Sequence, residues 1–261
     1  MDSNKIVKHN QEAWNKKVEN NDRWTTPVSK DEITAARDGK WQVFLTNSKP
    51  VPKSWFPDLK GLEILCLASA GGQQAPILAA VGAVVTSFDN SPNQLAQDKF
   101  VSERDGLNIR TIQGSMDDLN AFPNNVFDLI FNPISNIFIP DLAPMWRETF
   151  RVLKPRGTML AGFVNPVIFT FDHDLEEKGV YQVRYSLPYS DLTSITRDER
   201  LKFYGVDAPI EFSHTLQDQI GGQIEAGFEI IGFYEDYVDD EKIRKYMPSF
   251  FSTRARKPVR N

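Results

Sequence analysis

A loop of small residues and an acidic residue about twenty positions further on form the most informative pattern in this sequence. Ala68 to Gly72 follow the short apolar run Leu62 to Leu67, and Asp89 ends a second apolar run, Ala83 to Phe88. Small side chains let a ligand approach the backbone closely, and the carboxylate can accept hydrogen bonds from two ribose hydroxyls. The pattern predicts a site for a nucleoside-containing cofactor, although such a turn can also serve tight packing alone.

Alternating strands and helices have to position these residues. Gln73 to Val81 continues at helical spacing until Gly82, so the opening unit reads as strand, helix, strand. Parallel strands joined in this way bring the loop and Asp89 to the carboxyl edge of the sheet, where open α/β folds bind ligands. Further strands are predicted at Asn108 to Gln113, Phe127 to Phe131, Thr158 to Val164, Phe228 to Tyr234 and Phe250 to Arg256, with helices after Ser91, Asp141 and Thr215 and a turn at Lys154-Pro155-Arg156-Gly157. The alternation predicts an α/β fold with a doubly wound, mostly parallel sheet.

Composition narrows the class of protein. The chain has 261 residues, of which 41% are hydrophobic and 25% are charged, and its formal net charge is −5. An acidic chain is a poor candidate for nucleic-acid binding. The longest apolar stretch, Pro76 to Val85, is too short to span a bilayer, so we expect a cytoplasmic protein with no membrane segment. Cys66 is the single cysteine and the histidines are scattered, so no metal site is expected.

Residues 1 to 60 are predicted to form a helical lead-in to a main domain at residues 61 to 261. Ser29 and Glu32 have capping-box spacing, which predicts a helix from Lys30 to Arg37. The segment is rich in aromatic residues and broken by prolines, so it could wrap the core or close over the cofactor as a lid. Its candidate substrate-binding residues are Trp14, Trp24 and Trp41.

Residues 165 to 211 interrupt the alternation of strands and helices after the fifth strand. This insertion is aromatic and irregular, and loops at the ligand edge of a sheet commonly carry specificity. We therefore expect Tyr185 and Tyr189 to contact the substrate, with a peripheral hairpin as the alternative.

Several stretches in order resemble class I S-adenosylmethionine-dependent methyltransferases, of the group similar to the ubiquinone and menaquinone biosynthesis enzymes. They are ILCLASAGGQ, VTSFDNSPNQL, IQGSMDDL, FDLIFNPISN, RVLKPRGTML and HTLQDQIGGQIEAGFEIIGFYED. The resemblance implies a seven-stranded Rossmann-like sheet whose last strand is antiparallel and lies between strands five and six. The small-residue loop of this chain differs from the family's Asp-x-Gly-x-Gly-x-Gly loop. Cys66 stands in place of the acid, and Ala68 and Ala70 stand in place of two glycines. Alanine serves there if its φ stays negative.

The resemblance also implies roles for individual residues, with S-adenosylmethionine as the cofactor. The loop would cradle the methionine part, Asp89 would bind the ribose and Asn90 would flank the adenine. Met116 would pack on the adenine face and Asp117 would accept a hydrogen bond from its amino group. Asn132 and Pro133 would border the methyl group. The full predicted cofactor set is Ala68, Ser69, Ala70, Gly71, Gly72, Asp89, Asn90, Ser115, Met116, Asp117, Asn132 and Pro133.

The predicted activity is transfer of a methyl group to a small-molecule acceptor. Most of the catalysis can come from holding the acceptor in line with the methyl group, and a base is needed only for some acceptors. His173 and His214 are the candidates for that base. A regulatory protein that binds the cofactor without turnover and an NAD(P)-dependent oxidoreductase are the alternatives. The acceptor, the atom that is methylated and the oligomeric state stay open at this point.

Overall fold

A computed structural model of the chain describes residues 2–237 and 242–259. Its strands are β1 (Glu63–Leu67), β2 (Val84–Asp89), β3 (Ile109–Gln113), β4 (Phe127–Asn132), β5 (Leu153–Val164), β6 (Glu229–Asp236) and β7 (Phe250–Arg256). In the described residues they form a seven-stranded sheet of order β3-β2-β1-β4-β5-β7-β6. Neighbours from β3 to β5 are parallel, whereas β7 is antiparallel to both β5 and β6. The predicted fold is confirmed, including the antiparallel last strand between strands five and six.

The helices follow the local signals in the sequence. They are α1 (Ser3–Glu19), α2 (Lys30–Arg37), α3 (Gln74–Ala80), α4 (Pro92–Asp105), α5 (Ala143–Val152), α6 (His173–Glu176), α7 (Arg197–Tyr204) and α8 (Gly222–Ala226). The capping box of Ser29 and Glu32 is present at the start of α2. Ser91 caps α4, where Pro92 occupies the first turn and Gly106 ends the helix at φ 63°.

The two faces of the sheet are covered by separate apolar clusters. Successive residues of a strand point to opposite faces, and β1 accordingly sends Leu65 and Leu67 into one cluster and Ile64 and Cys66 into the other. Helix α5 packs on the first face, and Ile33 of α2 packs on the second. Because β1 is buried on both faces, its carboxyl end and the start of the loop that follows it are fixed between the neighbouring strands β2 and β4.

Two details of the sequence prediction differ from the structure. The segment predicted as a turn before Thr158 belongs to β5, which begins at Leu153 and pairs there with Phe127. The pairing then shifts register, and Arg156 takes a positive φ of 68°, so the turn signal marks a bulge inside the strand. The sequence also predicts a short helix near Asp240 to Tyr246. Its beginning lies outside the described residues, and Lys242–Lys245 form a 3-10 turn.

Candidate functional site

A cavity of about 910 Å³ opens at the carboxyl edge of the sheet. Its walls come from the loop after β1, the end of β2, the loop after β3 and the segment after β4. Helix α1 and the end of the insertion, residues 203 to 211, complete the enclosure. Of the predicted site residues, the cavity wall contains Trp14, Trp24, Ala68, Ser69, Ala70, Asp89, Asn90, Ser115, Met116 and Pro133.

The loop after β1 has an alternating backbone. Ala68, Ala70 and Gly72 have positive φ values of 47°, 64° and 75°. These are the three positions at which the family pattern has glycine, so the condition of a negative φ is not met at the two alanines. A Cβ crowds the following carbonyl in this conformation at a cost of about 1–2 kcal/mol per residue. The loop therefore keeps a glycine-type backbone at the expense of strain at two alanines.

Both ends of this loop are anchored to neighbouring strands and helices. The Ala68 N–H donates to the Phe88 carbonyl at 2.8 Å. The Gly71 N–H donates to Gln94 Oε1 at 2.8 Å, and the Gly72 N–H donates to Asp98 Oδ1 at 2.7 Å. Because these two glycines face α4, they lie outside the cavity wall. A Cβ on Gly71 would stand 2.0 Å from the Gln94 carbonyl oxygen, so no other residue fits there.

The middle of the loop leaves polar groups without partners. The Ser69 hydroxyl is buried and has no hydrogen-bond partner among the described residues. Within the same part of the chain, the N–H groups of Ser69 and Ala70 also donate to nothing. A cluster of unpaired donors beside a cavity suits the carboxylate of an amino acid, so the loop fits the methionine part of the cofactor.

Asp89 stands at the end of β2 with its carboxylate at the cavity wall. Oδ1 accepts the Ser91 N–H at 2.8 Å, which aims the carboxylate across the sheet edge. Burial raises the pKa of Asp89 to about 7, and the nearby Asp98 charge adds to the rise. A partly enclosed carboxylate with spare acceptor capacity is what a ribose diol requires.

The loop after β3 lies next to Asp89. Met116 is 8% exposed and lines the cavity, so its flexible side chain can pack on a flat ring. Ser115 also lines the cavity, and its hydroxyl donates to Asp117. Asp117 itself lies outside the wall. The structure therefore brings Met116 and Ser115 to the expected adenine end and places Asp117 behind them.

The end of β4 closes the other side of the loop. Pro133 lines the cavity, whereas Asn132 is fully buried beneath it. Asn132 Nδ2 donates to the Leu67 carbonyl and to Ser135 Oγ, both at 2.8 Å. Its Oδ1 has no partner among the described residues. Asn132 thus ties β4 to the start of the small-residue loop.

Helix α1 crosses the carboxyl edge of the sheet and covers the cavity. Trp14 lines the wall and packs edge-on against Phe138, with ring centroids 5.2 Å apart. Trp24 also lines the cavity, in a 3-10 turn whose Arg23 carbonyl accepts a hydrogen bond from Gln73 Nε2 at 3.0 Å. Trp41 lies elsewhere, because it packs against Phe56 on the outer face of the sheet.

The insertion reaches the cavity through residues other than the expected tyrosines. Tyr185 and Tyr189 are buried in a cluster behind the wall, where the Tyr189 hydroxyl donates to Asp191 at 3.0 Å. Phe203 and Tyr204, at the end of α7, line the cavity instead. An aromatic-rich segment does not reveal from its sequence which of its rings fill its own core.

Neither candidate histidine lines the cavity. His214 is 5% exposed, and its Nε2 contacts the Asn136 and Ile139 carbonyls at 3.2 and 3.0 Å. Since carbonyls only accept, Nε2 must carry the proton, and this histidine holds the segment after β4 in place. His173 Nε2 lies 3.1 Å from the Tyr204 hydroxyl, so Tyr204 stands between this histidine and the cavity. Burial lowers the pKa of both histidines.

Glu211 is an acidic residue of the cavity wall that the sequence analysis did not single out. Its neighbours Ile210 and Phe212 are buried, so the alternation of an extended segment turns Glu211 the other way, to the cavity. Its carboxylate makes no hydrogen bond or ion pair with the described residues. Burial, followed by the nearby Asp191, raises the pKa of Glu211 to about 7. No local motif marks it, because its neighbours in space come from distant parts of the chain.

The sheet order and the cavity at its carboxyl edge match the fold of class I S-adenosylmethionine-dependent methyltransferases. A family described as "Methyltransferase domain" matches residues 65–161. The uncharacterized methyltransferase YbaJ of Bacillus subtilis is 49% identical over 93% of this chain and 96% of its own length. The chain therefore belongs to the methyltransferase family of that protein.

More distant proteins share the fold or part of the sequence. A sterol 24-C-methyltransferase of Neurospora crassa is 26% identical over 70% of this chain and 42% of its own length. The crystal structure of an S-adenosylmethionine-dependent methyltransferase from Mesorhizobium loti superposes with a TM-score of 0.60 at 19% identity, over 78% of this chain and 94% of that one. The second likeness shows the fold alone.

In residues 2–237 and 242–259, no three His, Cys, Asp or Glu side chains are grouped to hold a metal ion. Among the helices of those residues, none has the length and apolar character that crossing a bilayer demands.

Proposed function

We propose that this methyltransferase binds S-adenosylmethionine along the sheet edge and methylates an apolar ring compound beside it. The single observation that carries the proposal is one cavity whose wall is formed by two unlike sets of residues. One set is the small-residue loop, Asp89 and Met116, and the other is aromatic, with Trp14, Phe138 and Tyr204. A nucleoside cofactor suits the first set, and an apolar acceptor suits the aromatic set.

The cofactor end is assigned by the residues already described. Ser69 and Ala70 would hold the methionine part, Asp89 the ribose hydroxyls, and Met116 the adenine face. When bound, S-adenosylmethionine supplies an electrophilic methyl group and leaves as S-adenosylhomocysteine. Pro133 follows β4 and lines the same cavity, so in our proposal it would flank the reacting atoms.

The acceptor end contains a titratable group suited to proton transfer. Glu211 faces the cavity with a carboxylate that pairs with nothing among the described residues, and its pKa of about 7 matches neutral operation. In our proposal the acceptor loses its proton to Glu211 as it gains the methyl group. The histidines considered from the sequence are less suited, since His214 donates to carbonyls and His173 stands behind Tyr204.

Two relationships support an apolar ring as the acceptor. The sequence resembles the ubiquinone and menaquinone biosynthesis methyltransferases, and relatives include sterol 24-C-methyltransferases. Quinone precursors and sterols are both apolar ring compounds, which the aromatic residues of the cavity wall would accept. The cytoplasm stays our expectation for the place of the reaction.

The experiment is an acceptor screen with methyl-labelled S-adenosylmethionine and a small-molecule extract. We expect label in an organic-extractable compound of low mass, with S-adenosylhomocysteine formed in equal amount. Glu211→Gln should lower the turnover of that compound at least tenfold and leave the affinity for S-adenosylhomocysteine unchanged. In the pH–rate profile, the increase in rate near pH 7 that comes from ionisation of Glu211 should disappear. Label in protein or nucleic acid, or binding of S-adenosylhomocysteine without any transfer, would contradict the proposal. The second result would favour the regulatory alternative.

A further inference from the structure

Asp98 lies outside the cavity, yet its carboxylate touches the loop that we assign to the methionine part of the cofactor. It belongs to α4 and is 1% exposed. Oδ1 accepts the Gly72 N–H at 2.7 Å, and Oδ2 accepts the Ser87 hydroxyl at 2.5 Å. Within the described residues it forms no ion pair.

Such a carboxylate is expensive to bury. Burial raises the pKa of Asp98 to about 6, although both donors favour the ionised form. Its near neighbours on the sheet are Asp89 on β2, which is also acidic, and Cys66 on β1. Neither supplies a positive charge, so the two hydrogen bonds are what stabilises the ionised group.

The position of Cys66 explains why the loop needs this carboxylate. Cys66 is fully buried, and burial raises the pKa of its thiol well above the usual range. A neutral thiol is a weak acceptor and cannot fix a backbone N–H as a carboxylate does. The strong acceptor for this loop therefore comes from α4 and not from the first position of the loop.

Gly72 transmits the effect of Asp98 to the cavity. The backbone φ is positive at Ala68, Ala70 and Gly72, so the orientation of each peptide plane in the loop depends on that of the next. Fixing the Gly72 N–H on Asp98, together with the Gly71 N–H on Gln94, leaves the Ser69 and Ala70 N–H groups turned elsewhere.

We propose that Asp98 is a positioning residue for cofactor binding, which holds the strained loop in the shape that receives the methionine part of S-adenosylmethionine. A carboxylate from α4 thus serves this loop in place of the acid that the family pattern has at the position of Cys66. The inference rests on the proposed function.

The test compares two ligands that share the adenosine part. S-Adenosylhomocysteine carries the methionine-derived chain, and methylthioadenosine lacks its amino and carboxyl groups. Asp98→Ala should raise the Kd of S-adenosylhomocysteine by roughly 10- to 100-fold, because the loop loses a charge-assisted bond. The Kd of methylthioadenosine should stay within about threefold, since Asp89 and Met116 are untouched. Asp98→Asn, which keeps one acceptor oxygen, should fall between wild type and Asp98→Ala.

Asp105→Ala is the matched control. Asp105 ends the same helix seven residues after Asp98, its side chain is 8% exposed, and it pairs with Arg104 at 2.6 Å and not with an N–H of the loop. It should lose stability and keep both Kd values. If Asp98→Ala weakens both ligands by the same factor, or neither, the inference is overturned. If wild-type protein binds no S-adenosylhomocysteine, the proposed function itself fails.

Ser87→Ala carries the test if Asp98→Ala does not fold. Removing the hydroxyl donor should raise the pKa of Asp98 and leave Gly72 in contact with it. The Kd of S-adenosylhomocysteine should match wild type at pH 9 and exceed it by about fivefold at pH 6.5. A Kd equal to wild type at both pH values would overturn the inference.

Discussion

The Asn90 side chain donates a hydrogen bond from Nδ2 to the Val7 carbonyl of α1 at 2.7 Å. Gln11 returns the contact, since its Nε2 donates to the Asn90 carbonyl at 2.9 Å. A residue at the end of the sheet that we assign to the ribose is thereby joined to the helix that covers the cavity. On the far side, Asn10 Oδ1 accepts the Ile210 N–H at 2.7 Å. Helix α1 bridges the cofactor edge and the insertion as a strap.

Cofactor binding should slow hydrogen exchange in α1. The helix rests on the cavity through few apolar side chains, so a ligand beneath it adds contacts that disfavour opening. We expect slower exchange in residues 3–19 when S-adenosylhomocysteine is added, and little change in α2, which packs on one face of the sheet and does not line the cavity. Equal exchange in α1 with and without ligand would make the N-terminal segment a static wrapper.

Cofactor affinity should fall as the pH drops through about 7. The pKa of Asp89 is about 7 without ligand, and hydroxyl donors from a ribose favour its ionised form. Binding is therefore strong above that pH and weakens by up to about tenfold per pH unit below it. Calorimetry with S-adenosylhomocysteine from pH 5.5 to 9 measures this slope. Asp89→Asn should flatten the profile between pH 6.5 and 9, and a wild-type Kd that is constant over that range would contradict the role.

Ala70→Gly should stabilise the protein. Alanine at φ 64° is strained by about 1–2 kcal/mol, and the extra freedom of glycine in the unfolded chain cancels part of the gain. We expect an increase of about 0.5 to 1 kcal/mol in the free energy of unfolding by urea titration. The control is Ala75→Gly in α3, which should destabilise the protein, because that residue is helical and fully buried. A loss of stability in Ala70→Gly would show that the methyl group makes contacts worth more than the strain.

Tyr189→Ala and Tyr204→Ala should have different effects. Tyr189 is 1% exposed and packs against Phe169 and Tyr185, so its loss should cost about 3 to 5 kcal/mol of stability. Tyr204 is 37% exposed at the cavity wall, so its loss should cost much less. With the acceptor found by the screen, Tyr204→Ala should raise KM and leave the Kd of S-adenosylhomocysteine unchanged. If Tyr189→Ala instead raised KM and Tyr204→Ala did not, Tyr189 would be the residue that contacts the acceptor.

Most of the fold can be predicted from the sequence, because the signals that specify the helices and strands are local. The caps at Ser29 and Ser91 and the apolar run of β1 each lie within a few residues of the structure they specify. The site is only partly local. Asp89 and the small-residue loop follow from one strand–helix–strand unit, and both reach the cavity wall.

The remaining site residues depend on contacts between distant parts of the chain. Glu211 is placed by Ile210, whose N–H bonds to Asn10, and by Phe212, whose N–H bonds to the Ile137 carbonyl at 2.8 Å. In the sequence, Asp98 looks like any other polar residue of a helix, and only the structure shows that its carboxylate accepts the Gly72 N–H. The spacing of residues along the chain predicts neither the position of Glu211 at the cavity nor the contact of Asp98 with Gly72.

The most direct test of the central claim is the Kd of S-adenosylhomocysteine for Asp89→Ala, measured by calorimetry at pH 8 beside wild type. Two charge-assisted hydrogen bonds to the ribose, partly replaced by water in the variant, predict a loss of about 2 to 3 kcal/mol. We therefore expect a Kd roughly 30- to 150-fold higher than wild type, with an unliganded melting temperature that is not lowered. A Kd within about threefold of wild type would contradict the assignment of the whole sheet edge to the cofactor.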